Sequence, residues 1–225
     1  MRTGARILVD QLVVHGVDTI ACVPGESYIA VLDAIRDAPM RLLVARHEAG
    51  AANMAEAYGK LTGRPGVCFV TRAPGATHAA VGVHTAYQDS TPFVLFVGQV
   101  PRAHLGREAF QELDYERMYG QMAKWVTSVE RAAEIPETVA RAFHEASSGR
   151  AGPVVVALPE DVQTEEADVG DAERYRPAQA SPSADSVARA RGSSSTSSSS
   201  TASTRSRAFP ARATSRFWMR SATRR

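Results

Sequence analysis

Apolar positions along the chain switch repeatedly between a helical and an extended period. Ala5, Leu8, Val9, Leu12 and Val13 fall at i, i+3, i+4, i+7 and i+8, the core stripe of an amphipathic helix that Gly16 stops. Residues 19–23 form a brief β-branched run ending at Pro24-Gly25. Ser27 is placed to cap a second helix through Arg36, with Ile29, Leu32 and Ile35 on its buried face. Residues 40–45 read as a strand, 49–61 as a helix of small residues, and 67–71 as a strand that breaks at a Pro74-Gly75 turn. An Ala- and Gly-rich helix over 76–87 follows, and then the apolar run 92–97, a strand covered on both faces. Residues 101–121 lack a clean period and read as an irregular segment with a short helix; such segments over a sheet edge are more often functional than idle. Residues 125–129 alternate weakly as a strand. Residues 135–147 are a helix with Val139, Ala142, Phe143 and Ala146 inward, and 154–158 are a last strand before Pro159.

Strands alternating with helices of about 10 to 15 residues imply right-handed βαβ units and a parallel sheet. The fold class is α/β: a three-layer α/β/α sandwich with a central parallel sheet of about six strands, plus a disordered C-terminal tail. The expected division is a ligand-binding domain over 1–168 and a Ser/Arg-rich tail over 169–225. Beyond about residue 180, Ser193 to Ser200 is nearly all serine, Arg is the only cation and no apolar period survives, so chain entropy is not offset by burial. A disordered linker, a nucleic-acid-binding arm and a departure from the natural reading frame of a GC-rich gene all give such a segment. The missing Lys and interleaved aromatics argue against the second.

Charge changes the picture only through its distribution. The net +2 combines +8 after residue 180, from nine Arg and one Asp, with −6 before it, so the folded part is mildly acidic and no nucleic-acid partner is expected. Cys22 and Cys68 lie in apolar strand-like runs and read as buried free thiols. No signal peptide opens the chain and no apolar run approaches the ~18 residues of a membrane span, so a soluble cytoplasmic protein without membrane contact is expected.

Residues 42–78 place an acidic residue at a helix start and a Pro-Gly turn at neighbouring strand ends, where open parallel sheets bind ligands. A Glu in the first turn of a helix favourably meets the macrodipole and is commonly solvated. The small wall of Gly50, Ala51, Ala52 and Ala55 opens the other reading, in which a second surface packs closely and a desolvated Glu48 holds or passes a proton. His47-Glu48-Ala49-Gly50-Ala51 lacks the second His of a zinc-protease motif, and no metal ligands are assigned. His47, His78 and His84 show no acidic partner at triad-like spacing; no nucleophile elbow or phosphate loop occurs. A dinucleotide-binding oxidoreductase fails for want of a Gly-rich first turn.

The run from Arg46 to Tyr58, RHEAGAANMAEAY, resembles the signature of the pyrimidine-binding domain of thiamine-diphosphate enzymes. Residues 71–77, Asp89-Ser90-Thr91-Pro92 and Gly98-Gln99-Val100-Pro101 follow at the family's spacing. Gly106-Arg107-Glu108-Ala109-Phe110-Gln111-Glu112 and Gly152-Pro153-Val154 bring the resemblance nearest to the large, catalytic subunit of acetolactate synthase, over roughly residues 3–166. The resemblance implies that Glu48 hydrogen-bonds N1′ of the aminopyrimidine, favouring the imino tautomer that removes the C2 proton of the thiazolium. It places Pro24, Gly25, Thr71, Pro74 and Gly75 around the cofactor, and Gln111 with Phe110 toward the thiazolium and a 2-oxo acid substrate. Lys124 matches a family lysine and equally reads as a solvated strand end.

Implied for the family are decarboxylation of a 2-oxo acid such as pyruvate, carboligation in branched-chain amino acid biosynthesis, and a homodimer. Also implied are Mg²⁺ and, in several members, FAD. Two departures stand out at the turn: Arg72 replaces a small residue, narrowing the site or meeting an anionic substrate group, and His78 replaces Asn. The Gly-Asp-Gly that holds diphosphate and Mg²⁺ does not occur in these 225 residues. The expected protein is therefore half of a cofactor site, a truncated or frameshifted chain inactive alone, completed by homo-oligomerisation or by a diphosphate-binding domain. A non-enzymatic module that pairs with or regulates such an enzyme is the alternative.

Overall fold

Residues 1–174 are described by the structure, a computed structural model. Strand β1 (Arg2–Thr3) leads into helix α1 (Gly4–Val14), where the Thr3 side chain accepts the Arg6 amide as N-cap. Ile7 joins the expected Ala5, Leu8, Val9 and Leu12 in the core, whereas Val13, expected on the stripe, is exposed at the last turn. Strand β2 (Thr19–Cys22) is followed by a 3-10 turn, Glu26–Tyr28, and helix α2 (Ile29–Arg36). Because α2 begins only at Ile29, that residue is 60% exposed and Val31 takes the buried place beside Ile35.

Strand β3 (Arg41–Val44), helix α3 (Glu48–Thr62), strand β4 (Gly66–Val70), helix α4 (Ala73–Asp89) and strand β5 (Phe93–Gln99) continue the alternation. The irregular segment holds the short helix α5 (Tyr115–Tyr119). Strand β6 (Trp125–Ser128), helix α6 (Ile135–Ser147) and strand β7 (Pro153–Pro159) complete the pattern. Helix α7 (Glu160–Thr164) and strand β8 (Glu166–Ala167) come last; β8 pairs antiparallel with β1, a two-residue ladder too short to leave a period in the sequence. The chain then runs beside α1, where Arg2 pairs with Asp171 and Gln11 exchanges hydrogen bonds with Ala172. Of the disordered Ser/Arg-rich tail expected over 169–225, residues 169–174 are instead held by these contacts with Arg2 and Gln11, and the segment from residue 175 onward lies outside the described residues.

The central sheet has six strands in the order β3-β2-β4-β5-β7-β6, all parallel. Side chains alternate across it: Val67 and Phe69 of β4 join one core with α1, α2 and α6, while Cys68 and Val70 join the other with α3, α4 and α5. This is the expected α/β/α sandwich. Cys22 and Cys68 belong to opposite cores, both free and buried, and burial pushes the Cys22 thiol up to about 11. No helix among the described residues is long and apolar enough to cross a membrane.

Two stability predictions arise here. Gly50 lies within α3 with no atom within 4 Å of an added Cβ, so Gly50→Ala gains about 0.5–1 kcal/mol, read by thermal melting. At the ends of β5 and β7, Arg102 donates to Asp161 from Nε (2.7 Å) and from its amide (3.1 Å), and to Glu165 from Nη2 (2.8 Å). Burial pushes the Asp161 carboxyl up, but these bonds and the Arg102 charge outweigh it and hold the group below its ordinary value. A depressed folded value means that proton uptake favours the unfolded chain. The contribution is complete above the unfolded carboxylate pKa and lost as the pH falls through the lower folded value. Asp161→Asn therefore melts below the parent at neutral pH, and the gap between them narrows below about pH 4.

Candidate functional site

The strand order places the topological switch point between β2 and β4. The connection from β2 goes outward to β3, and the one from β3 returns past β2 to β4. Loops on either side of such a point diverge to opposite faces and leave a crevice at the carboxyl ends of the strands. Pro24 and Gly25 leave β2 there, and Thr71 and Arg72 leave β4. Gly25 packs directly on the Thr71 side chain, and Ser27 Oγ lies 3.0 Å from Thr71 Oγ1, joining the two exits. Ser27 therefore does not cap a helix: Tyr28 occupies the cap position of α2, without a side-chain hydrogen bond.

Glu48 enters from β3. His47 is the N-cap of α3, its Nδ1 accepting the Ala49 amide at 3.1 Å, and Glu48 is the first helical residue. Its side chain is only 13% exposed, so it is not the solvated first-turn carboxylate that its position alone allows. The covering surface is α4. Ala51, Ala52 and Ala55 of α3 are buried against α4's Ala76, Ala79 and Val83, and a Cβ on Gly82 would lie 2.5 Å from that of Ala52. The small-residue wall thus brings two helix N-termini together. Pro74 and Gly75 belong to the first turn of α4 rather than to a turn before it, since proline fits where no amide donor is needed. A Cβ on Gly75 would meet the Thr71 side chain at 2.9 Å and stand 3.6 Å from Glu48 Oε1, so this buried glycine lets Thr71 and Glu48 close on the start of α4.

The other carboxylate oxygen of Glu48 is 3.0 Å from His78 Nδ1. His78 therefore has the acidic partner that sequence spacing did not reveal, because the α3–α4 packing supplies it across thirty residues of chain. The His47 and His78 rings lie 4.6 Å apart between centroids.

Arg72 is 8% exposed, and its Nη1 donates to Glu26 at 2.9 Å and its Nη2 to Glu160. Burial opposes its charge, but the two carboxylates outweigh that and raise its pKa. The cation expected to meet an anionic substrate group is matched instead by the protein's own acids. Gln111 adopts a left-handed backbone (φ 62°), and its carbonyl accepts the Ala73 amide at 3.1 Å, tethering the 105–112 segment to the start of α4. Phe110 is 74% exposed, with its ring centroid 6.0 Å from the Arg72 guanidinium.

So Gly25, Glu48, Thr71 and Gly75 are brought together at the switch point, with Pro24 and Pro74 next to them in the chain, and Phe110 and Gln111 adjoin through Arg72. Sequence reasoning missed two tyrosines. Tyr119 donates to the Ala76 carbonyl (2.5 Å) and Tyr115 to that of Gly98 (2.9 Å), pinning α4 and the end of β5; two aromatics four apart in a short helix were the available signal. Lys124, before β6 on the opposite sheet edge, is neither solvated nor near the crevice: its Nζ donates to the Glu145 and Ser148 carbonyls at the end of α6, and burial lowers its pKa.

A parallel sheet wound on both faces, with a half-buried carboxylate at its switch point, is the α/β architecture that places ligands at the carboxyl ends of its strands. Residues 2–118 match the family model of the thiamine pyrophosphate enzyme N-terminal TPP binding domain, and the chain belongs to that family. It is 43% identical over 164 residues to an acetolactate synthase of Arthrospira platensis, a match covering 71% of this chain and 28% of that protein. An acetolactate synthase of Bacillus subtilis (strain 168) is 39% identical over 184 residues, 82% of this chain and 32% of its own length. The mitochondrial acetolactate synthase catalytic subunit of Aspergillus candidus is 41% identical over 162 residues, with 72% and 23% covered. The chain thus spans about a quarter to a third of the length of these relatives.

Glu48 is the residue that could hold the aminopyrimidine half of the cofactor: its Oε1 carries no hydrogen bond among the described residues, while Oε2 is held by His78.

Proposed function

We propose that this chain supplies the pyrimidine-binding half of an acetolactate-synthase-like enzyme that decarboxylates a 2-oxo acid such as pyruvate and joins the remainder to a second oxo acid. The observation that carries the reading is Glu48: a half-buried carboxylate at a helix start, one oxygen held by His78 and the other without a hydrogen bond among the described residues. Thiamine diphosphate, when bound, supplies the carbon nucleophile and the electron sink of the reaction. Glu48 holds the proton at N1′ of the aminopyrimidine, and the glycines at positions 25 and 75 let Thr71 pack closely between the strand exits beside it. Thr71, with Ser27, fixes the two strand exits that flank it. Gln111 and Phe110 border the side from which the oxo acid approaches. Diphosphate and Mg²⁺ are assigned to a diphosphate-binding region outside these 225 residues. The 225-residue chain by itself is accordingly expected to form no acetolactate from pyruvate, thiamine diphosphate and Mg²⁺.

The test is a hybrid in which residues 1–168 replace the matching segment of the Arthrospira platensis synthase. The hybrid is expected to form acetolactate. A folded hybrid that binds no thiamine diphosphate and turns over no pyruvate refutes the proposal.

A further inference from the structure

We propose that His47, Glu48 and His78 form a binding site for a divalent transition-metal ion of the zinc class. One ligand atom from each residue lies within 4.8 Å of the other two. On a tetrahedral zinc with bonds of about 2.0–2.1 Å, neighbouring ligand atoms are about 3.4 Å apart. The His78 Nδ1 to Glu48 Oε2 separation of 3.0 Å is already near that edge length, and only His47 has to close in. His47 is exposed and its ring already lies over that of His78, at 4.6 Å and 31°.

The scaffold holds these groups in place before any ion arrives. His47 and Glu48 are consecutive at the start of α3, and His78 lies in the second turn of α4. The Ala52–Gly82 contact fixes the two helices against each other. Two imidazoles and one carboxylate make a nitrogen-rich, borderline donor set, which selects Zn²⁺ or Co²⁺ over the oxygen-seeking Mg²⁺ and Ca²⁺. Three protein ligands with two exposed rings leave a fourth position for water. Metal at Nε2 of His47 requires the proton on Nδ1, so the bond accepted from Ala49 is exchanged for the metal bond. The half-buried carboxylate supplies the one negative charge in the set. The metal takes Glu48 Oε2 and leaves Oε1, the oxygen assigned to the aminopyrimidine, so an ion there draws on the same carboxylate that holds the N1′ proton. That coupling rests on the proposed function, whereas the metal site does not.

The test titrates Co²⁺ into the chelator-treated full chain and follows the visible ligand-field absorption. One equivalent is expected to bind, to be displaced by Zn²⁺ and to be unaffected by Mg²⁺. His47→Ala and His78→Asn are each expected to weaken binding by at least about tenfold. A spectrum without a near-ultraviolet thiolate band is expected, since Cys22 and Cys68 are not ligands. No cobalt spectrum at millimolar metal, unchanged affinity in both His variants, or a thiolate band overturns the site. Circular dichroism checks that each variant is folded, and His78→Gln serves as the second variant if His78→Asn is not. An aminopyrimidine titration of the same sample separates the two ideas. Pyrimidine binding without cobalt binding ends the metal site and leaves the proposed function standing; the reverse leaves the metal site alone.

Discussion

In the hybrid synthase, Glu48→Gln is expected to lower the rate of acetolactate formation by about 10²–10⁴-fold, the range for loss of a positioned proton-transfer group. Gln has the shape of Glu and still accepts from His78, so the α3–α4 contact, the melting temperature and the sheet are expected to be unchanged. What it cannot do is hold and release a proton at the oxygen that His78 leaves free. The loss therefore falls on kcat rather than on the KM for pyruvate, because Glu48 meets the cofactor and not the oxo acid. Steady-state kinetics with saturating thiamine diphosphate reads the split. A Glu48→Gln hybrid within a few-fold of the parent in kcat contradicts the role given to this carboxylate.

Gly82→Val is expected to be the most damaging single change to the fold near the site. Its first carbon would lie 2.5 Å from the Ala52 side chain and 2.8 Å from the Ala52 backbone. Overpacking of this kind costs about 3 kcal/mol, roughly 10 °C in melting temperature for a domain of this size. The backbone contact leaves no flexible side chain to move aside, so α4 must shift from α3. Glu48 and His78 then separate, and Glu48 becomes more exposed. Thermal melting with hydrogen exchange at the start of α4 reports both effects. The contrast with Gly50→Ala, which is expected to stabilise the same helix pair, separates close approach from helix propensity. A Gly82→Val chain that melts with the parent shows that the two helices are not in the contact described.

The layer architecture was legible because each element states its period. The runs at 19–23, 67–71 and 92–97 and the helix at 135–147 appear within a residue or two of their expected positions. The errors share a cause: a short polar residue has several uses, and only tertiary context selects one. Ser27 has cap chemistry, but the strand exits bring Thr71 within 3.0 Å and that partner takes it. Pro74-Gly75 reads as a turn and equally as the first turn of a helix. The small-residue wall at 50–55 announced a close approach without naming the surface, which is α4. Arg72 was visible as a departure from the family's pattern, but its partners Glu26 and Glu160 come from the exits of β2 and β7, far away along the chain. His78 likewise lacked a partner until α3 and α4 were set side by side. The places of these residues at strand ends and helix starts were readable, and their pairings were not.

The most direct test of the central claim needs no diphosphate-binding partner. Titrating 4-amino-5-hydroxymethyl-2-methylpyrimidine into the isotopically labelled 225-residue chain, and following backbone amide shifts by NMR, isolates the half of the site assigned here. The predicted result is a set of saturable shifts at Gly25, Glu48, Thr71 and Gly75 that Glu48→Gln abolishes. Shifts that never appear, or that gather at the opposite sheet edge around Lys124 and survive Glu48→Gln, would contradict the account.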